Sequence, residues 1–290
     1  MGSVLSSTNR STRRTLDEVW FVGLSLVLDG QKGWQALASA LHSALQPLNS
    51  WPTLQISLHL ATEKPGRTEE RKFHAQSQRN AVEEAIREIA EGRVISLHAR
   101  THRGEWESAR KGHWLWCGPG SPFDAGWIDP EVSLLLTFPC HLFDAGSQAG
   151  VESVGKVVTE IADRMPFVYG YGNLGRWDSH PGTHGIDRLY AETAHSIPVS
   201  AFDDYIGSGR RREYRHGVKG AFWLNILNSY HVEALGGVER FRFKAQPYEI
   251  DQLAPGGIMV LVTPSPLVQD TTENRQAYAR LFKALKPVFG

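Results

Sequence analysis

Hydrophobic and polar positions along this chain repeat with two periods, and the changes of period mark the elements. Residues 19–28 are an almost unbroken run of Val, Leu and aromatics, which reads as a buried strand ended by Asp29-Gly30. Trp34, Leu37, Ala38, Leu41, Leu45 and Leu48 then recur at helical spacing, and Pro47 closes that helix. Leu54, Ile56, Leu58 and Leu60 alternate with Gln55, Ser57 and His59, the signature of a strand with one buried face. Residues 63–70 read as a charged loop. Val82, Ala85, Ile86 and Ile89 predict a second helix, capped at Gly92. Residues 94–99, 113–117 and 132–138 predict three strands, and Val151, Val154, Val158, Ile161 and Met165 a helix that Pro166 stops. From Gly170 to Gly217 the pattern lapses into Gly, His, Asp and Arg, which predicts a long, loop-rich middle. Regular structure returns with an apolar stretch at 220–227, a short helix ending at Leu235-Gly236-Gly237, and a buried strand at 258–262. Between them Phe241 and Phe243 alternate with Arg240, Arg242 and Lys244. Asp270 and Glu273 are spaced as a capping box for a last helix, with Tyr278, Leu281, Phe282 and Leu285 as its core face. The expected fold class is α/β in the α+β sense, with mixed, mostly antiparallel sheet layers packed with helices. The polar stretch 1–15 is expected to be a disordered lead-in. Residues 16–290 then form the folded part, as one domain or as two closely packed lobes, 16–165 and 166–290.

Composition narrows the function more than the fold. Lys+Arg and Asp+Glu both number 31, so the formal net charge is zero. A protein that coats nucleic acid or an anionic membrane is normally basic, and one that imitates DNA over its whole surface is acidic. Neither describes this chain. Its two cysteines, Cys117 and Cys140, sit in apolar contexts and are too few for a disulfide scaffold or a cysteine zinc site. They read as buried thiols. The N-terminus has no apolar core region like that of a secretory signal, and no apolar run approaches a membrane span. The expected location is cytoplasmic, with no membrane partner.

The motifs that carry chemistry are weak. Gly170, Gly172 and Gly175 form a GxGxxG, but Arg176-Trp177-Asp178 and Pro181 follow where a dinucleotide site needs a helix N-terminus. The glycines read as a turn, and no cofactor is expected. His180 and His184 have the spacing of a helical zinc pair, but Pro181 and Gly182 lie between them. A metal-dependent hydrolase using His180, His184 and Asp178 is one alternative function. His59 and His98 alternate with apolar residues and therefore point away from the core. No nucleophile elbow, phosphate loop or His-Glu-x-x-His motif occurs, and no catalytic residue is assigned. Arg210, Arg211, Arg212, Arg215, His216 and Lys219 form the strongest charge cluster, interleaved with Tyr205 and Tyr214. Such a patch suits a phosphate backbone, which makes a nucleic-acid binder the other alternative. It also suits an acidic protein surface, because Arg and Tyr are favoured at interface hot spots.

The segment Val218 to Leu227, followed by Leu235-Gly236-Gly237-Val238-Glu239, resembles the signature of the type VI secretion immunity protein family. Asn274-Arg275 with Tyr278, the close at Leu285-Lys286-Pro287, and the turn from His180 to Asp187 extend the likeness. The matching residues Trp223, Leu235-Gly236-Gly237 and Tyr278 look like core and cap positions. The resemblance implies an immunity protein that binds and neutralises a secreted antibacterial effector, a nuclease of restriction-endonuclease-like type, by steric occlusion and without catalysis. The partner is then the effector and not nucleic acid. Asp203, Asp204, Tyr205, Arg210, Arg211, Arg212, Tyr214, Trp177 and Asp178 are the candidate effector-binding residues, all in the loop-rich middle.

Overall fold

The computed structural model describes residues 18–27, 30–45, 54–62, 67–74, 80–92, 94–101, 114–119, 131–138, 149–178, 188–193, 196–200, 217–218, 220–264 and 271–289. Among these described residues twelve strands form one sheet, and every pairing between them is antiparallel. In chain order they are β1 (Glu18–Val27), β2 (Gln55–Ala61), β3 (Thr68–His74), β4 (Val94–Arg100), β5 (Trp114–Pro119), β6 (Glu131–Phe138), β7 (Phe167–Asp178), β8 (Arg188–Thr193), β9 (Ser196–Ser200), β10 (Leu224–Leu227), β11 (Glu249–Leu253) and β12 (Gly257–Leu261). Their order across the sheet is β11-β12-β10-β7-β1-β6-β5-β4-β2-β3, with β8 and β9 branching from β7. The helices are α1 (Gly30–Leu45), α2 (Ala81–Ala90), α3 (Ala149–Arg164), α4 (Ser229–Ala234), α5 (Val238–Ala245) and α6 (Thr272–Leu285). The α+β class with antiparallel sheet therefore holds.

Register shows which face of the sheet is the core. Arg71, Leu58, Leu97, Cys117, Leu134, Leu24, Gly170, Ile226, Met259 and Asp251 lie in one row across ten strands. Cross-strand partners share a face, so this row runs along the first face. Helices cover it: α2 reaches Arg71 through Glu88, α3 brings Gly155 against Met259, and α1 is tied to α3 by Arg164 and Ser39. The next row reads Lys72, Ser57, His98, Trp116, Leu135, Gly23, Tyr171, Asn225, Val260 and Ile250. This second face grades from charged at β3 to apolar at β12. Its apolar end is packed by α4, whose His231 ring meets Tyr169 edge-on at 6.0 Å.

Several readings from the pattern change. Thr68, Glu69 and Glu70 belong to the edge strand β3, not to a loop. Only Phe73 of that strand is buried, so no apolar alternation announces it. Charged edge strands of this kind resist pairing with foreign chains. The GxGxxG is not a turn: Gly170 to Gly175 lie inside the twelve-residue strand β7, and β8 and β9 follow within the expected loop. The alternation is there after all, with Tyr169, Tyr171 and Asn173 buried on one face and Gly170 and Gly172 on the other. Thr271, not Asp270, caps α6, its side chain accepting from the Asn274 N–H at 3.2 Å. Phe282 is exposed on that helix, where its ring lies 4.7 Å from that of Phe289.

Candidate functional site

The best-defined surface with binding chemistry is built around the turn between α4 and α5. Asn228 starts it. Its side chain accepts from the His231 N–H at 2.9 Å, while the Asn228 N–H donates to His231 Nδ1 at 3.3 Å. Nδ1 accepts, so in this arrangement the imidazole carries its proton on Nε2. The Asn228 amide also donates to the Val168 carbonyl at 2.7 Å, fastening α4 to β7. After Leu235 the chain reverses through Gly236 and Gly237, at φ of 88° and 90°. L residues with side chains rarely adopt such angles. A Cβ on Gly236 would also stand 2.6 Å from Cδ of Arg240, which lies across the turn.

The reversal sets the phase of α5. Val238, Phe241 and Ala245 turn inward at helical spacing, with Phe241 and Ala245 fully buried. The alternation of Phe and Arg therefore does not make a strand. It separates the two phenylalanines, and Phe243 is left 81% exposed. Around it the outward side of α5 carries three cations, Arg240, Arg242 and Lys244, against one anion, Glu239. Arg242 and Glu239 form an ion pair at 4.0 Å, and between exposed groups it adds little. Tyr248, just past the helix, is 54% exposed. The helical spacing behind Gly237 was the available signal for this surface, and the two-residue alternation masked it.

A second polar surface lies on β2, β3 and β4. His59 and His98 meet edge-on at 6.1 Å on the second face, pointing away from the core as their alternation predicts. Arg100 is held beside them by a 3.0 Å bond to Gln55. Burial, reinforced by His59 and then Arg100 and opposed by Glu70, lowers the His98 pKa to about 4. His98 is neutral at physiological pH.

Of the predicted effector-binding residues, Trp177 and Asp178 are the last two of β7, in register with Leu189 and Arg188 of β8. Asp203, Asp204, Tyr205, Arg210, Arg211, Arg212 and Tyr214 lie outside the described residues, as do His180, His184, Arg215, His216 and Lys219. Among the described residues, no three His, Cys, Asp or Glu side chains are grouped to hold a metal ion, and no helix is long and apolar enough to cross a membrane. The family-motif residues are structural, as expected. Trp223 is buried and donates from Nε1 to the Thr263 carbonyl at 3.0 Å. Leu235 and Tyr278 are buried as well.

Fold and surface together define a mixed α/β protein with an aromatic–basic helix on its outside and a structural signature beneath it. The chain belongs to the TsiV family, described as type VI immunity for VRR-NUC, whose model matches residues 53–289. Its fold is similar to that of a Pseudomonas aeruginosa T6SS protein, with a TM-score of 0.58 over 94% of this chain and 73% of the other. The two sequences are 11% identical, so the likeness is one of fold. No curated protein matches.

Proposed function

We propose that this protein binds a cognate VRR-NUC nuclease effector in the cytoplasm and neutralises it as a stoichiometric, non-catalytic inhibitor. The family match over residues 53–289 carries the reading. Inhibition is steric: the bound protein covers the nuclease cleft. The effector is encoded beside this chain's gene, and nucleic acid is not itself a ligand. The Asp203–Tyr214 stretch, with Trp177 and Asp178, forms part of the contact. In one version Asp203 and Asp204 face basic substrate-binding residues of the effector; in the other Arg210, Arg211 and Arg212 instead face its metal-binding carboxylates.

Co-expression with the neighbouring nuclease gene tests this. The expected result is restored growth, a one-to-one complex on pull-down, and nuclease activity lost in proportion to added protein. A nuclease that stays active in the presence of excess protein overturns the proposal. Separate charge reversal of Asp203/Asp204 and of Arg210–Arg212 tells which patch touches the effector.

A further inference from the structure

We infer that the outward side of α5 is an effector-docking surface, with Phe243 as its anchor and Arg240, Arg242 and Lys244 as its electrostatic rim. The inference rests on the immunity reading and assigns it a contact. A phenylalanine 81% exposed on a packed helix gives up its hydrophobic stabilisation in the free protein and recovers it only when something covers the ring. Phe241, two residues earlier, shows that the helix has an inside available for aromatics. The occupant must combine an apolar pocket for the ring with an acidic border, because three cations and one anion surround Phe243. A metal-dependent nuclease carries such a border, since its active site clusters carboxylates around the metal ions. Aromatic and Arg side chains are also the types enriched at protein interfaces. The surface is pre-organised: the Asn228–His231 cap and the turn at Gly236 and Gly237 fix where α5 begins.

Binding of the full chain to the purified VRR-NUC domain encoded beside its gene decides the matter. Phe243→Ala is expected to raise Kd at least about tenfold, with an unchanged melting temperature because the side chain makes little contact in the free protein. Arg240→Glu/Arg242→Glu/Lys244→Glu is expected to raise it about a hundredfold, mostly through slower association. Arg87→Glu, exposed on α2, should leave binding alone. Wild-type affinity in both α5 variants overturns the surface while leaving the immunity reading standing. A wild-type chain that does not bind the domain overturns both. Two other outcomes also overturn it. One is salt-sensitive binding of a DNA duplex that the triple variant loses. The other is self-association that Phe243→Ala abolishes.

Discussion

At the residue scale, two polar groups, the half-buried His98 and the buried Asn225, have measurable consequences. Folding lowers the His98 pKa from its ordinary 6.5 to about 4, chiefly by burial and then by His59 and Arg100. Between those values the unfolded chain binds a proton that the folded chain does not. Stability is therefore full above about pH 6.5, declines as pH falls, and levels off below about 4. The decline from this site is on the order of 2 kcal/mol after allowing for solvent reaching the ring. His98→Gln should flatten the fall in melting temperature from pH 7 to pH 4, and an unaltered profile would show that His98 titrates normally. Asn225 is fully buried and brackets Phe222, accepting from its N–H at 3.2 Å and donating to its carbonyl at 2.7 Å. Asn225→Ala leaves both backbone groups buried without those partners and should cost about 3 kcal/mol in denaturant unfolding. Neither effect was visible in the pattern. His98 was legible as a residue facing away from the core, but its neighbours come from β2 and from the edge strand. Asn225 looked like one polar residue in an apolar run.

Elements were legible where burial was one-sided. Ile56, Leu58 and Leu60 announce β2 because one face is core and the other is not, and α2 and α3 show their stripes for the same reason. The pattern failed where both faces or neither are buried. β3 buries only Phe73, β7 buries Tyr169 and Tyr171 on one side and sets glycines on the other, and α5 is short enough for two phenylalanines to mimic strand alternation. Turns and close approaches decide how these elements meet. Gly257 opens β12 where a Cβ would lie 2.6 Å from both the Leu227 carbonyl and the Phe167 ring. Gly257→Ala should push β12 away from β10 and lower stability by about 1–3 kcal/mol. An unchanged melting temperature would mean that the ring moves aside freely. Gly236→Ala combines a left-handed φ with a clash at Arg240, so it should reduce stability and also weaken effector binding by disturbing the rim.

At the scale of the whole molecule, zero formal charge hides an uneven surface. The chain has no net field to attract a partner, yet α5 presents an excess of cations locally. Steering by such a patch is screened within about 10 Å at 0.1 M salt. Association with the VRR-NUC domain should therefore slow as salt rises while dissociation changes little, as stopped-flow mixing would show. A salt-independent association rate would assign the recognition to shape and apolar contact. The sequence by itself determined the α+β class, most of the elements, the core faces of α1–α3 and the family, because these depend on periodicity and spacing within short segments. Only the tertiary structure decided the strand order, which puts β1 between β6 and β7, and with it the row of side chains on each face. It also decided that Phe241 is inside and Phe243 outside. Both depend on contacts between residues distant in the chain, and those contacts exist only once the strands have paired and the helices have packed on the sheet.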